Sequence, residues 1–355
     1  MSPRNALRHR GGAALAALIA SVTLGLLAVS NVSNADDEPA PPPRPLAGFI
    51  LDKHGYRTIE VPGATQTLAF GIDDHGRIAG GYEDAGGRIH GFVREKNGKF
   101  RTIDVSGAYA TLATRINNRG QVVGDYFETE EKYNQGRKRG FMLDRGRLIR
   151  IDVPDAESTE VVGLDDRGRA VGETFDADTM SYRGYLWDRG RFTFITVPGS
   201  PVAGAEEINE RGQIAGIYAD TIDAEGTAPS TRGYLVRRGR YTTFAAPGGP
   251  YTQVFGLNNR QQIVGYTADA SFTDIHGFRR DKDGEFTTID VPRGFNTMAL
   301  GINDGGQIVG AYEKASVGTS AIQREATRED SPGPLASRSL VDTFRPALGN
   351  VRGTR

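Results

Sequence analysis

Beyond residue 47 the apolar residues come in short stretches separated by polar turns rich in Gly, Asn and Asp, and none recurs at the 3.6-residue spacing of an amphipathic helix. Six times a Gly-aromatic pair opens the pattern: Gly48-Phe49, Gly91-Phe92, Gly140-Phe141, Gly184-Tyr185, Gly233-Tyr234 and Gly277-Phe278. Six times an apolar pair closed by Gly ends it, at Gly80, Gly124, Gly172, Gly216, Gly265 and Gly310. The two glycines of each copy lie 32 or 33 residues apart. A period of roughly 40 to 50 residues predicts a repeat architecture.

Each repeat predicts four short strands. The first holds the Gly-aromatic pair, and a tight Gly turn leads to a β-rich second, as in Phe100–Val105. A Pro-Gly loop or a variant follows (Pro62-Gly63, Pro198-Gly199, Pro247-Gly248), then a third strand ending in Gly-Ile/Leu-Asn/Asp, a polar turn and the fourth. Four antiparallel strands in a unit of this length is the arithmetic of a propeller blade.

The phrases Thr58–Ala64 (TIEVPGA) and Gly301–Gly310 (GINDGGQIVG), with His90-Gly91-Phe92 and His276-Gly277-Phe278, resemble the bacterial extracellular HAF-type repeat family, here with Gly for the family's Ala. The resemblance spans Gly48 to Tyr312. It implies an extracellular repeat protein and carries no catalytic residue. The Gly-Ile-Asn…Ile-Val-Gly hairpin also looks like the inner strand pair of NHL-type propeller blades. In that phase the orphan outer pair Gly48–Val61 completes a blade with the orphan inner pair at 296–312, giving an all-β, six-bladed propeller with a clasp between the chain ends and no loose edge. The other phase gives six blades without a clasp. In both, Phe49, Phe92, Phe141, Tyr185, Tyr234 and Phe278 form one core layer and Ile72, Ile116, Leu164, Ile208, Leu257 and Ile302 another.

The ends of the chain read differently. Arg4, Arg8 and Arg10 precede an uncharged apolar stretch, Ala13–Val29, and Ser33-Asn34-Ala35 offers a cleavage site, so residues 1–35 are expected to be a signal peptide; an uncleaved anchor is the alternative. Residues 36–47 read as a Pro-rich linker, 48–314 as the propeller and 315–355 as a mostly disordered tail. The expected location is secreted or periplasmic, with no membrane contact after cleavage. There is no cysteine, which excludes disulfides and thiol chemistry. A net charge of −1 offers no basic surplus for nucleic acid. A monomer is expected.

The candidate site lies where the repeats break their own rule. Gly71, Gly163, Gly256 and Gly301 precede the Ile/Leu of the third strand, but the second repeat has Arg115 there and the fourth Glu207. The same two repeats lengthen the following loop, at Glu128–Arg139 and Asp220–Arg232. Arg115 and Glu207 suit a polar ligand site; the alternative is a structural ion pair. Tyr109, Tyr251 and Phe295, in or beside the Pro-Gly loops, and Tyr133, in a long loop, suit the apolar faces of sugars or cover blade junctions. The Asp/Asn-rich turns lack the spacing of an EF-hand loop and read as turn chemistry. The five histidines lack metal-ligand spacing, and no Gly-x-Ser-x-Gly elbow or phosphate loop is present. No cofactor or metal is expected. The expected function is an exported non-catalytic binding protein for a glycan or another extracytoplasmic protein; the alternatives are a propeller enzyme acting on polysaccharide, as hydrolase or lyase, and a structural cell-surface protein.

Overall fold

A computed structural model describes residues 44–176, 181–221 and 228–315. The expected signal peptide, most of the linker and all but the first residue of the tail lie outside the described residues. Leu46 and Ala47, assigned to the linker from sequence, instead begin the first strand and are buried.

The chain forms antiparallel ladders in sequence order. After β1 (Leu46–Asp52) and β2 (Gly55–Ile59) comes a sheet of β3 (Gln66–Ile72), β4 (Ile78–Glu83), β5 (Ile89–Arg94) and β6 (Phe100–Ile103). The next holds β7 (Ala110–Ile116), β8 (Val122–Phe127), β9 (Arg139–Asp144) and β10 (Arg147–Ile151). A nine-stranded sheet follows. Its first ladder is β11 (Ser158–Leu164), β12 (Ala170–Asp176), β13 (Ser181–Asp188) and β14 (Arg191–Ile195). Its second is β15 (Val202–Ala203), β16 (Glu207–Ile208), β17 (Ile214–Ala219), β18 (Arg232–Arg237) and β19 (Arg240–Phe244). One parallel pairing, Arg183 with Ala203, joins the two ladders. Next come β20 (Tyr251–Leu257), β21 (Ile263–Ala268), β22 (Ile275–Arg280) and β23 (Phe286–Ile289). The last strands, β24 (Phe295–Ile302) and β25 (Ile308–Glu313), pair with the first two in the order β2-β1-β25-β24. β1 runs antiparallel to β25 from Leu46↔Glu313 to Leu51↔Ile308. The two ends therefore share one sheet, as the clasped phase requires.

Burial orders each ladder. β3, β7 and β20 are buried along their whole length, whereas the fourth strands β2, β10 and β19 each hold at most one buried residue. The fully buried strands therefore lie innermost, and the arrangement is a β-propeller of antiparallel blades. Hydrophobic clusters fill the spaces between neighbouring ladders. One joins Ile50 and Ile59 to Ala69, Ile72 and Phe92; another joins Ala79, Val93 and Ile103 to Ala113, Ile116 and Phe141. Each such buried side chain contributes roughly 1.5–3 kcal/mol.

The two halves of the repeat signature meet across strands. Gly80 pairs with Phe92, Gly172 with Tyr185 and Gly310 with Phe49. The innermost strand bulges opposite that glycine, as between Ala69 and Gly71, so a Cβ on Gly80 would collide with both the Leu68 carbonyl and the Phe92 ring. Where the ring is Tyr, its hydroxyl donates to the bulge: Tyr185 to Glu160 O (2.7 Å) and Tyr234 to Gly204 O (2.8 Å). The glycine ending the innermost strand has a different reason. A Cβ on Gly301 would meet Gly71 Cα, one on Gly71 would meet Arg115 Cα, and one on Gly163 would meet Glu207 Cα. Neighbouring ladders touch backbone to backbone at this level.

The polar turns close the ring. Backbone N–H groups donate to the side chain of the equivalent turn in the next ladder: Asp74 to Asn118 (2.9 Å), Asn118 to Asp166 (2.8 Å), Asp166 to Glu210 (2.6 Å), Glu210 to Asn259 (3.0 Å), Asn259 to Asp304 (2.7 Å) and Asp304 back to Asp74 (2.8 Å). The preceding residue makes a second belt, in which Asn117, Asn209, Asn258 and Asn303 donate from Nδ2 to the next turn's carbonyl. Aspartate cannot donate. At Asp73 the arginine four residues on does so instead: Arg77 binds Asp73 Oδ2 at 2.6 Å and donates to Asn117 O at 3.0 Å. Arg169 likewise binds Asp165, Nε to Oδ2 at 2.7 Å, whereas all four asparagines are followed at that spacing by glutamine.

Two details depart from the four-strand expectation. The innermost strand of the fourth repeat is broken into β15 and β16. The long loop after β8 contains one helical turn, α1 (Glu130–Asn134), where Thr129 Oγ1 accepts from Lys132 N. A turn this short has no periodicity for a sequence to display.

Candidate functional site

Arg115 and Glu207 meet at the ring axis. Arg115 extends from β7, and its Nε donates to Glu207 Oε2 at 2.5 Å. Its Nη1 donates to Phe70 O (2.9 Å) and Thr114 O (2.8 Å), and its Nη2 to Phe255 O (2.5 Å) and Leu300 O (3.2 Å). All five donors of the guanidinium are thus used. The carbonyls come from β3, β7, β20 and β24, so one side chain ties four innermost strands together. Glu207 Oε1 accepts from Leu164 N and Ile208 N, both at 3.1 Å. Burial raises the Glu207 carboxyl, and Arg115 opposes the rise. The two side chains form a buried ion pair. Above it the Asp/Asn turns surround a shallow axial cavity of about 80 Å³, floored by Arg115 and Glu207.

Below the pair the axis is packed, and asymmetrically. Leu68, Phe70, Leu112, Phe255, Met298 and Leu300 belong to one continuous apolar cluster. The equivalents of Leu68 and Phe70 elsewhere are Glu160 and Glu206, and Asp125 and Glu173 occupy neighbouring buried positions on β8 and β12. Among the described residues Lys138 is the cation that binds within this group: its Nζ donates to Glu160 Oε1 at 2.5 Å. Asp125 Oδ1 accepts from Val161 N at 2.8 Å. No N–H or hydroxyl group among the described residues donates to Asp125 Oδ2, Glu173 Oε1 or either Glu206 oxygen, so Glu173 and Glu206 have only each other. Burial, then the charge of Glu160, pushes Asp125 well above the usual carboxylate range. Burial lifts Glu173 to about 7. Burial, then the Glu173 charge, pushes Glu206 well above its ordinary value. A proton held on Glu206 and shared with Glu173 relieves both groups. Sequence reading missed this cluster. The available signal was of the kind that exposed Arg115: a charge at a repeat position that is uncharged in the other copies.

The aromatic candidates do not converge. Tyr109 is 39% exposed, and its ring lies 5.5 Å from that of Tyr133. Tyr133, on α1, packs edge-on against Phe127 at 5.0 Å, and burial raises its hydroxyl pKa. Tyr251 is only 8% exposed and stacks on Phe272 at 4.6 Å, so it covers a junction rather than presenting a platform. Phe295 is 44% exposed, with the Arg44 guanidinium 3.8 Å above its ring. Only Tyr109 and Tyr133 form a pair.

His90 and His276, equivalent by repeat, each sit between two aspartates. His90 Nδ1 lies 2.9 Å from Asp104 and its Nε2 3.3 Å from Asp84; His276 Nδ1 lies 2.9 Å from Asp290 and its Nε2 3.1 Å from Asp274. Burial works against the charge on His276, but Asp290 and Asp274 outweigh it and raise the pKa. Arg139, Arg183 and Arg232 stand at the same position in three other repeats. Among the described residues no three His, Asp or Glu side chains are placed to hold a metal ion, and no helix is long and apolar enough to cross a membrane.

No protein-family model and no curated protein sequence matches the chain. Solved structures do. A putative TolB from Agrobacterium tumefaciens is similar at a TM-score of 0.57 and 14% identity, over 77% of this chain and 99% of that one. TolB from Acinetobacter baumannii gives 0.48 and 12%, over 77% and 64%. The β-propeller domain of the Trilobed protease from Pyrococcus furiosus gives 0.42 and 12%, over 74% and 78%. At these identities the likeness is one of fold.

Proposed function

We propose that the chain is a six-bladed member of the HAF-type repeat family, exported, and acting outside the cytoplasm as a non-catalytic binding module for a glycan or another protein. The blade count treats the nine-stranded sheet as two blades, which its single joining pair and the six-membered turn ring support. The observation that carries the functional reading is the fate of Arg115 and Glu207. Both are consumed in holding the axis, which leaves the turns and loops of the two faces as the surface a ligand can reach. On the loop face, Tyr109 backed by Tyr133 presents an exposed ring of the kind that stacks on sugars. A screen of glycans and extracytoplasmic proteins with wild type and Tyr109→Ala tests the reading. Binding by wild type that weakens in the variant supports it; a wild type that retains nothing in either screen contradicts it.

A further inference from the structure

On the face that carries the polar turns, three consecutive ladders end their outer hairpin in the same tripeptide: Arg145-Gly146-Arg147, Arg189-Gly190-Arg191 and Arg238-Gly239-Arg240. In each, the first arginine is left-handed, with φ of 50°, 51° and 49°, and the glycine after it is also positive. These are two-residue hairpins with both central residues at positive φ, a turn that favours Asn, Asp or Gly at the first position. Arginine stands there three times against that preference. Of the other three outer hairpins, that at Lys53-His54 also has two residues but neither is at positive φ, and those at 95–99 and 281–285 are longer; in all three the positive φ falls on a glycine, Gly55, Gly98 or Gly284. Strained backbone kept at equivalent positions asks for a reason outside the fold.

The side chains supply one. All six arginines are exposed. Arg189 is 91% exposed and meets only Asp188, at 4.0 Å. The side chains of the other five make no ion pair or hydrogen bond among the described residues. They occupy three successive ladders and so form an arc along half of one rim.

We infer that this arc is a docking surface for an acidic polysaccharide. The inference rests on the binding-module reading but uses the face opposite Tyr109. Planar guanidinium groups recognise carboxylates bidentately, and three equivalent clusters spaced ladder by ladder suit an extended chain with one carboxylate per sugar better than a single small anion. A net charge of −1 for the whole chain disfavours a polymer as densely charged as nucleic acid. The Arg-Gly-Arg tips present no apolar side chain to enter a bilayer.

The test measures binding of the full chain to polygalacturonate, with neutral dextran, phosphatidylglycerol vesicles and a single-stranded oligonucleotide alongside. The variant Arg145→Asn/Arg189→Asn/Arg238→Asn removes three charges while installing a residue that the turn favours. Its melting temperature should equal or exceed that of wild type. The expected result is salt-sensitive binding to polygalacturonate that falls about tenfold in the variant, with dextran ignored. Equal or tighter binding to the vesicles or the oligonucleotide overturns the polysaccharide assignment. Unchanged polygalacturonate binding in the variant overturns the arc. Neutral glycans bound through Tyr109 with polygalacturonate ignored overturns this inference while leaving the binding-module reading intact.

Discussion

The two halves of the ring solve the same packing problem with different materials. Where β3, β20 and β24 are innermost, the axis is filled by Leu68, Phe70, Phe255, Met298 and Leu300, and the close-approach positions are glycines. From β7 to β16 the equivalent surfaces carry Arg115, Glu160, Glu206 and Glu207, with Asp125, Lys138 and Glu173 around them. Polar-turn hydrogen bonds nevertheless run unbroken through both halves. Closure is therefore independent of how the axis is filled. The apolar half gains its stability from burial. The charged half is held by a few saturated contacts and by protons on its carboxyls, which makes it sensitive to single substitutions and to pH.

The largest effect expected is loss of the ring itself. Deleting Gly48–Val61 strips β25 of its partner and uncovers Val309 and Ile308. The deleted chain should show no cooperative thermal transition by circular dichroism, because an open repeat array lacks cover at both ends.

Next is the axial pair. Arg115→Ala leaves Glu207 buried and unpaired and frees four carbonyls, at an expected cost of about 3–5 kcal/mol in urea unfolding. Arg115→Met combined with Glu207→Leu should recover much of that loss. A double variant no better than the single would mean that the carbonyl contacts, not the ion pair, carry the effect.

The carboxyl cluster predicts an unusual pH response. Glu173 holds its proton up to about pH 7 in the folded chain but only to the ordinary glutamate range when unfolded. Between those values the folded state binds more protons, so stability falls as pH rises across the window. His276 adds loss of the same sign at higher pH as it gives up its proton. The melting temperature should be higher at pH 5 than at pH 8 by roughly 5 °C or more, and Glu173→Gln should flatten the part of the slope below pH 7.

The polar turns predict the smallest change. Asn303→Ala removes the hydrogen bond between ladders to Asp73 O, worth about 1 kcal/mol, together with two local bonds to Gln307. Asp73→Asn with Arg77→Gln installs the pairing used by four other turns and should leave chemical-denaturation stability near wild type.

Much of the fold is legible in the amino-acid order alone. The paired clauses of the repeat predict the strands because the opening ring and the closing glycine are cross-strand neighbours. The orphan halves at 48–61 and 296–312 predict the pairing of the ends. Arg115 and Glu207 stand out because they replace glycines whose Cβ space the neighbouring ladder occupies. Their five-fold bonding is not legible, since the acceptors are backbone carbonyls of strands far apart in sequence. Glu160 and Glu206 are inconspicuous because a carboxylate in an alternating strand ordinarily marks a solvent face; only the burial of β11 from Thr159 to Leu164 turns that pattern inward. Tyr251 looks like a platform because nothing in its own segment announces Phe272.

The ring as a closed unit is tested most directly by linking its ends. Ala47 and Tyr312 are directly opposed on β1 and β25, and facing Cα atoms in an antiparallel pair are about 4.5–5.5 Å apart, within disulfide range. The chain has no cysteine of its own. In Ala47→Cys/Tyr312→Cys, oxidation of the folded protein should close an intramolecular disulfide, seen as faster non-reducing gel migration and a raised melting temperature. Thiols that remain free in the folded protein, or that link only between molecules, would contradict a ring closed by its own two ends.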